Sequence, residues 1–144
     1  MAIRLSTGAR TNLAGTDGLK SLFDGGFIAI YSGGQPAAAD NAETGNLLTT
    51  ISATSGTGGI ELGTAAAGAL PKGSTVMSGL IGTAGIAGWF RLYDSNKTTG
   101  SNGTANRIDG NIGVSGSDLV LSNTNLVVGA TLTIDTFTLG IPTS

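Results

Sequence analysis

Histidine and cysteine are both missing from this chain. Their absence removes the Ser-His-Asp triad, the Cys-His pair, the usual zinc sites and any disulfide framework. It also leaves the redox compartment unreadable. Charge is scarce too: Asp, Glu, Lys and Arg make up 11% of the residues, where about 25% is usual. The seven basic residues are scattered, and the net charge is −2 with an isoelectric point near 4.7. Contact with nucleic acid relies on clustered Lys and Arg that displace counterions, so no nucleic-acid partner is expected. Long apolar runs are also lacking. No stretch approaches the roughly 18 residues of a membrane span, and MAIRLSTGAR lacks the apolar run of a secretory leader. The expectation is a protein made in a cytoplasm with no membrane partner.

Glycine is abundant instead, at 25 of 144 positions, against a usual share of about 7%. Hydrophobic residues reach 40% and the mean hydropathy is +0.24, so the chain reads as folded rather than disordered. A chain of this mass is expected to expose about 6,700 Å² when folded and about 20,000 Å² when unfolded, enough burial for one domain over residues 1–144. Its surface must be built largely of Gly, Ser, Thr and Asn. Such a surface gives little colloidal repulsion, which favours contact with copies of itself or with a partner.

Along the chain, residues 1–12 read as an extended arm or a first strand. GTDGLKSLFDGG then predicts a short helix, with Thr16 or Asp17 at its start, Leu19, Leu22 and Phe23 on one face, and Gly25 and Gly26 as the stop. FIAIY (27–31) and LLTTIS (47–52) predict strands on either side of a long loop, SGGQPAAADNAETGN (32–46). Residues 53–59 read as a flexible link, and IELGTAAAGAL (60–70) as strand then loop before a turn at Pro71, Lys72 and Gly73. STVMSGLI (74–81) is a strand, followed by a glycine-rich bend. WFRLYD then places Phe90 and Leu92 on one face and Trp89, Arg91 and Tyr93 on the other. SNKTTGSNGTAN (95–106) reads as a solvent loop, and RIDGNIGV (107–114) puts Ile108 and Ile112 on one face. SGSDLVLSN (115–123) adds a turn and a short strand. In the last segment Leu132 and Ile134 share a parity that Phe137 and Leu139 do not, which predicts a bulge near Asp135 and Thr136. Seven to nine short strands with glycine-rich turns and one small helix predict an all-β fold, an antiparallel β-sandwich or barrel.

Candidate chemistry is thin. Asp40 and Glu43 are the only acidic pair close in sequence, but an alanine-rich loop gives them little of the burial that would tune a catalytic carboxylate. They read as solvated loop residues or as contacts to a neighbouring subunit. DSNKTTGSNGTA (94–105) starts like a calcium loop with Asp94, Asn96 and Thr98, yet Thr99 and Ala105 stand where that motif needs Gly and Glu. No cofactor or metal is therefore expected. Trp89, Arg91 and Tyr93 on one strand face suit packing or a subunit contact, with a sugar-stacking platform as the alternative.

MAIRLSTGAR, LFDGGFIAIYSGGQP, GWFRLYD and LSNTNLVVGATLTIDTF together resemble the capsid cement or decoration proteins of tailed bacteriophages. The resemblance implies a jelly-roll β-sandwich that binds the outside of a phage head as a dimer or trimer. There it would bridge neighbouring copies of the major capsid protein, in a virion assembled in the host bacterial cytoplasm. On that expectation the contacts fall on the arm (Ile3, Arg4, Leu5, with Arg10), on the long loop (Gln35, Pro36, Asp40, Glu43) and on Trp89, Arg91 and Tyr93. A tail or head–tail connector protein is the nearest alternative, and a carbohydrate-binding adhesin module is one of another class.

Overall fold

FIAIYS, GIAGWFRLY and RIDGNIG carry the β-branched and aromatic residues that fit a pleated, two-sided surface, and they form the centre of the molecule. The computed structural model describes residues 3–53 and 58–140. In chain order the elements are β1 (Arg4–Leu5), α1 (Thr7–Ala14), α2 (Leu19–Phe23), β2 (Phe27–Ser32), β3 (Leu47–Ala53), β4 (Ala69–Pro71), β5 (Met77–Leu80), β6 (Gly85–Tyr93), β7 (Arg107–Gly113), β8 (Leu119–Val120), β9 (Asn125–Leu126), β10 (Thr131–Ile134) and β11 (Thr138–Gly140). The fold is all-β. A nine-stranded sheet runs β1-β7-β6-β2-β3-β5-β10, with β8 beside β7 and β9 beside the start of β6. All its pairings are antiparallel except β7 with β8. β4 and β11 make a separate two-stranded sheet.

Cross-strand register decides what each face of the large sheet carries. Ile28, Leu92 and Ile108 lie side by side, as do Ile30, Phe90 and Gly110. This row faces the main core, where Phe23, Ile51, Met77, Leu70 and Leu139 also lie. Phe90 meets Phe137 edge-on at 5.8 Å, the geometry that aromatic quadrupoles favour. Glycine is needed at Gly110 because the Phe90 ring occupies the space a Cβ would take. The opposite face presents Phe27, Tyr93 and Arg107 in one row, Ala29, Arg91 and Asp109 in the next, and Tyr31, Trp89 and Asn111 in a third.

Several expectations need correction. Among the described residues of 1–12 the first-strand reading holds only at β1, which pairs with β7, and α1, which was not expected, follows at once. That helix escaped notice because TGARTNLA has almost no apolar periodicity. Its start is set by Ser6, whose Oγ accepts the Ala9 N–H at 3.1 Å. In 60–70 the expected strand is reduced to one bridge, Leu62 with Lys72, and a turn then leads into β4 at the end. The turn holds Ala67 and Gly68 at φ 50° and 75°, between bridged Ala66 and Ala69. The parity change after Ile134 is not a bulge. Leu132 and Ile134 pair with β5, whereas Leu139 pairs with β4 in the other sheet. Four residues of the expected flexible link, 54–57, lie outside the described residues. Among the described residues, no helix is long and apolar enough to cross a membrane.

Candidate functional site

The face opposite the core gathers buried charged and aromatic side chains. Alternation along β6 and β7 sends Trp89, Arg91, Tyr93, Arg107 and Asp109 to that side, and all five are buried, at 1% exposure or less. Arg91 and Asp109 are cross-strand partners and form a two-pronged ion pair, Nε to Oδ1 at 2.6 Å and Nη2 to Oδ2 at 2.8 Å. Trp89 stacks on Tyr31 with centroids 4.6 Å apart and planes 15° apart, and the Arg91 guanidinium sits 5.4 Å from the Trp89 ring.

Two loops cover this layer, residues 33–46 and 94–106. Their backbones form no ladder there, so their carbonyls need other donors, and the two buried arginines supply them. Arg91 Nη1 donates to Asn41 O at 3.0 Å, and Arg107 donates to Ala39 O at 3.2 Å and to Thr98 O at 2.8 Å. Trp89 Nε1 donates to Thr44 O at 3.2 Å. Glu43 ties the loops together: its carboxylate accepts from Arg91 Nη1 at 3.0 Å, from Tyr93 Oη at 2.7 Å and from the Gly100 N–H at 3.0 Å. Asn102 N–H also donates to Asp40 O at 2.8 Å, directly loop to loop.

Burial works against charge on Glu43. Bonds from Tyr93 and backbone N–H groups, with Arg91 beside it, outweigh burial and hold the carboxyl below its ordinary value. Burial likewise opposes the Arg91 charge, but Asp109 reverses that and keeps the guanidinium firmly protonated. Asp109 itself is pushed up by burial, against the pull of Arg91. The Tyr93 hydroxyl is raised by burial, then by its bonds with Tyr31 and Glu43, and Tyr31 is raised chiefly by burial.

The predicted contact residues fall into three groups. Trp89, Arg91 and Tyr93 share one strand face as expected and pack beneath the loops, where Glu43, not expected beside them, joins Arg91 and Tyr93. Buried there, they offer neither a subunit contact nor a sugar-stacking platform. Asp40 parts from Glu43. It accepts from Thr7 N–H at 2.8 Å and Thr7 Oγ1 at 2.6 Å, placing a carboxylate at the start of α1. Those bonds, led by the Thr7 hydroxyl, hold Asp40 below the ordinary carboxylate range. Ile3 and Leu5 are half-buried against the core, while Arg4 is exposed and donates to Pro36 O at 3.1 Å. Pro36 is buried and Gln35 half-buried. Arg10 is exposed and bonds Thr7 Oγ1 at 3.0 Å.

The loop at 95–106 is not simply solvated. Asp94 is spent on the Asn96 N–H and the Asn106 side chain, both at 3.0 Å. Among the described residues no cluster of three or more acidic side chains could hold a metal. Arg107, Asp109, Tyr31 and Ser6 were not expected to matter. Ser6 Oγ donates to Ala105 O at 2.7 Å and accepts the Arg107 N–H at 2.9 Å, fastening the α1 start to the second loop. The alternation Arg107, Asp109, Asn111 against Ile108, Ile112 was the available signal for the first two.

Two depressions lie elsewhere. One of about 490 Å³ is lined by Ile3, Leu5, Leu13, Leu19, Phe137 and Leu139. Asp118 at its rim exchanges bonds with Asn111, so few polar groups converge there to orient a ligand. The other, about 400 Å³, is lined by Leu47, Thr50, Leu80 and Thr83 at the far end of the sheet. No protein-family model, curated protein or solved structure matches the chain.

Proposed function

We propose that the chain is a structural virion protein, a capsid cement or decoration protein that binds the outside of a phage head and bridges copies of the major capsid protein as a homo-oligomer. The jelly-roll layering implied by the sequence resemblance belongs to this proposal. One observation carries it: Glu43, Tyr93, Arg91, Arg107 and Asp109 are bound to one another and to loop backbone, while the opposite end of the sheet exposes neutral, apolar surface. Side chains used in this way make a rigid body suited to contact rather than to turnover.

A cement protein works by mass action. It binds the intact lattice and not the ruptured one, which stabilises the shell by RT ln(1 + [L]/Kd), about 2.7 kcal/mol per site at a hundredfold excess over Kd. An oligomer bridging two capsomers makes its second contact at high effective concentration, so each interface can be modest. Quantitative mass spectrometry of purified virions encoding the chain is expected to find it at a stoichiometry comparable with the capsomers, and particles lacking it should lose DNA at lower temperature. Absence from the particle would end the proposal. A single ring's worth of copies would move it to the tail.

A further inference from the structure

The uncovered end of the sheet has three properties that point the same way. First, it is apolar: Leu47, Leu80, Ile86, Val127 and Val128 are each between 45% and 66% exposed. Leu47 is the cross-strand partner of buried Tyr31, so the apolar surface continues from beneath the loops into solvent. Leu80 faces Thr131 on β10, and Val127 and Val128 belong to the turn closed by Ala130 N–H on Val127 O, just before β10. These side chains offer on the order of 400 Å² of apolar surface, as large as the biggest patch on many monomers. That is half of the ~800 Å² each partner buries in a standard interface.

Second, it is neutral. No charged residue lies between Glu43 and Glu61, between Lys72 and Arg91, or between Asp118 and Asp135, the three segments that build this corner. A charged partner finds no complement here, whereas a second copy of the same surface meets no repulsion. Third, it ends in an open edge. β10 closes the strand order, and among the described residues no strand pairs with its other side. Sheet edges are normally guarded by charge, proline or a bulge, and Thr-Leu-Thr-Ile has none of these. The opposite edge, β1, is two residues long and carries Arg4.

We infer that this corner is the self-association surface, with β10 of one copy pairing antiparallel to β10 of another about a twofold axis. Such pairing is self-complementary by construction, satisfies the free edge and covers the flanking Leu80 and Val128. It deepens the homo-oligomer part of the proposed function and can fail separately from it. A dimer that ignores viral shells removes the function only. A monomer that coats shells removes this inference and the homo-oligomer part, and leaves the shell binding.

Light scattering after size exclusion is expected to give twice the 14.1 kDa chain mass. The double variant Leu80→Lys/Val128→Lys should give the single-chain mass with the near-ultraviolet signal of buried Trp89 unchanged. Thr16→Lys, which adds a charge of the same sign on the α1–α2 connection, should remain dimeric. In the wild type, those backbone amides of 131–134 that face away from β5 should lose hydrogen-exchange protection on dilution, a readout independent of any variant's folding. A wild-type monomer at the solubility limit, an assembly other than a dimer, a double variant that still dimerises, or protection indifferent to dilution overturns the inference.

Discussion

The outer face of the large sheet has two ends built in opposite ways, with β6 running through both. At one end Tyr31, Trp89, Arg91, Tyr93, Arg107 and Asp109 lie beneath two loops and every carboxylate has several donors. At the other, Leu47, Leu80 and Ile86 meet solvent directly and no side chain is charged. The difference shows how a charge-poor chain distributes its few ions. Arg91, Arg107, Asp109 and Glu43 are placed where long loops need donors and acceptors, while the corner by β10 carries no charge. Buried polar networks specify one arrangement because each unmet partner is costly, whereas a bare apolar corner specifies nothing until something covers it.

That contrast can be broken hardest at Arg91. Arg91→Ala leaves Asp109 buried without its partner and frees the Asn41 carbonyl, so a loss of about 3–5 kcal/mol is expected in chemical denaturation. The double variant Arg91→Met/Asp109→Leu removes both charges and should recover much of that loss. Failure to recover would mean that the loop carbonyls, rather than the ion pair, carry the cost. Glu43→Gln keeps the shape but weakens three bonds to a charge, and about 1.5–3 kcal/mol is expected. Because Glu43 joins the two loops, the same variant should also be cut faster by trypsin at Lys97. Unchanged cleavage would show that the loops hold without it.

Acid sharpens the comparison further. Glu43 and Asp40 ionise more readily in the folded chain than in the unfolded one. The stability they contribute is therefore complete above their unfolded pKa values and is lost as pH falls through the depressed folded ones. Asp109, raised by burial, acts in the opposite sense across that window and makes the slope shallower. Melting temperature should fall below the ordinary carboxylate range, and less steeply in Glu43→Gln. The smallest effect is expected at the bare end. Leu80→Ser should shift the stability of a single chain by no more than about 0.5 kcal/mol, since it removes a side chain that touches little. A large loss would mean Leu80 is buried in the species being measured.

Much of the fold was legible because alternation is local. Phe90 and Leu92 against Trp89, Arg91 and Tyr93 could be read from six letters, and so could Ile108 and Ile112. Helix α1 was not legible, since TGARTNLA has no apolar stripe and its packing rests on Gly8 lying against the backbone at Thr104, almost a hundred residues away. The partner of Glu43 was hidden for the same reason. Arg91 and Gly100 are some fifty residues distant, and nothing about an alanine-rich loop announces that it will close over a sheet.

Composition and periodicity alone determined that the chain folds into β-structure, that it does so without histidine or cysteine chemistry, and which residues share a strand face. Those properties depend on neighbours one or two positions away. Only the tertiary structure decided that the Trp89 face is sealed rather than offered, and that Asp40 and Glu43 serve different partners. It also decided that the open surface is the neutral corner by β10. The physical reason is that burial belongs to the pairing of distant segments: a side chain's direction is set by its own strand, but what lies above it is set by loops that return from elsewhere in the chain.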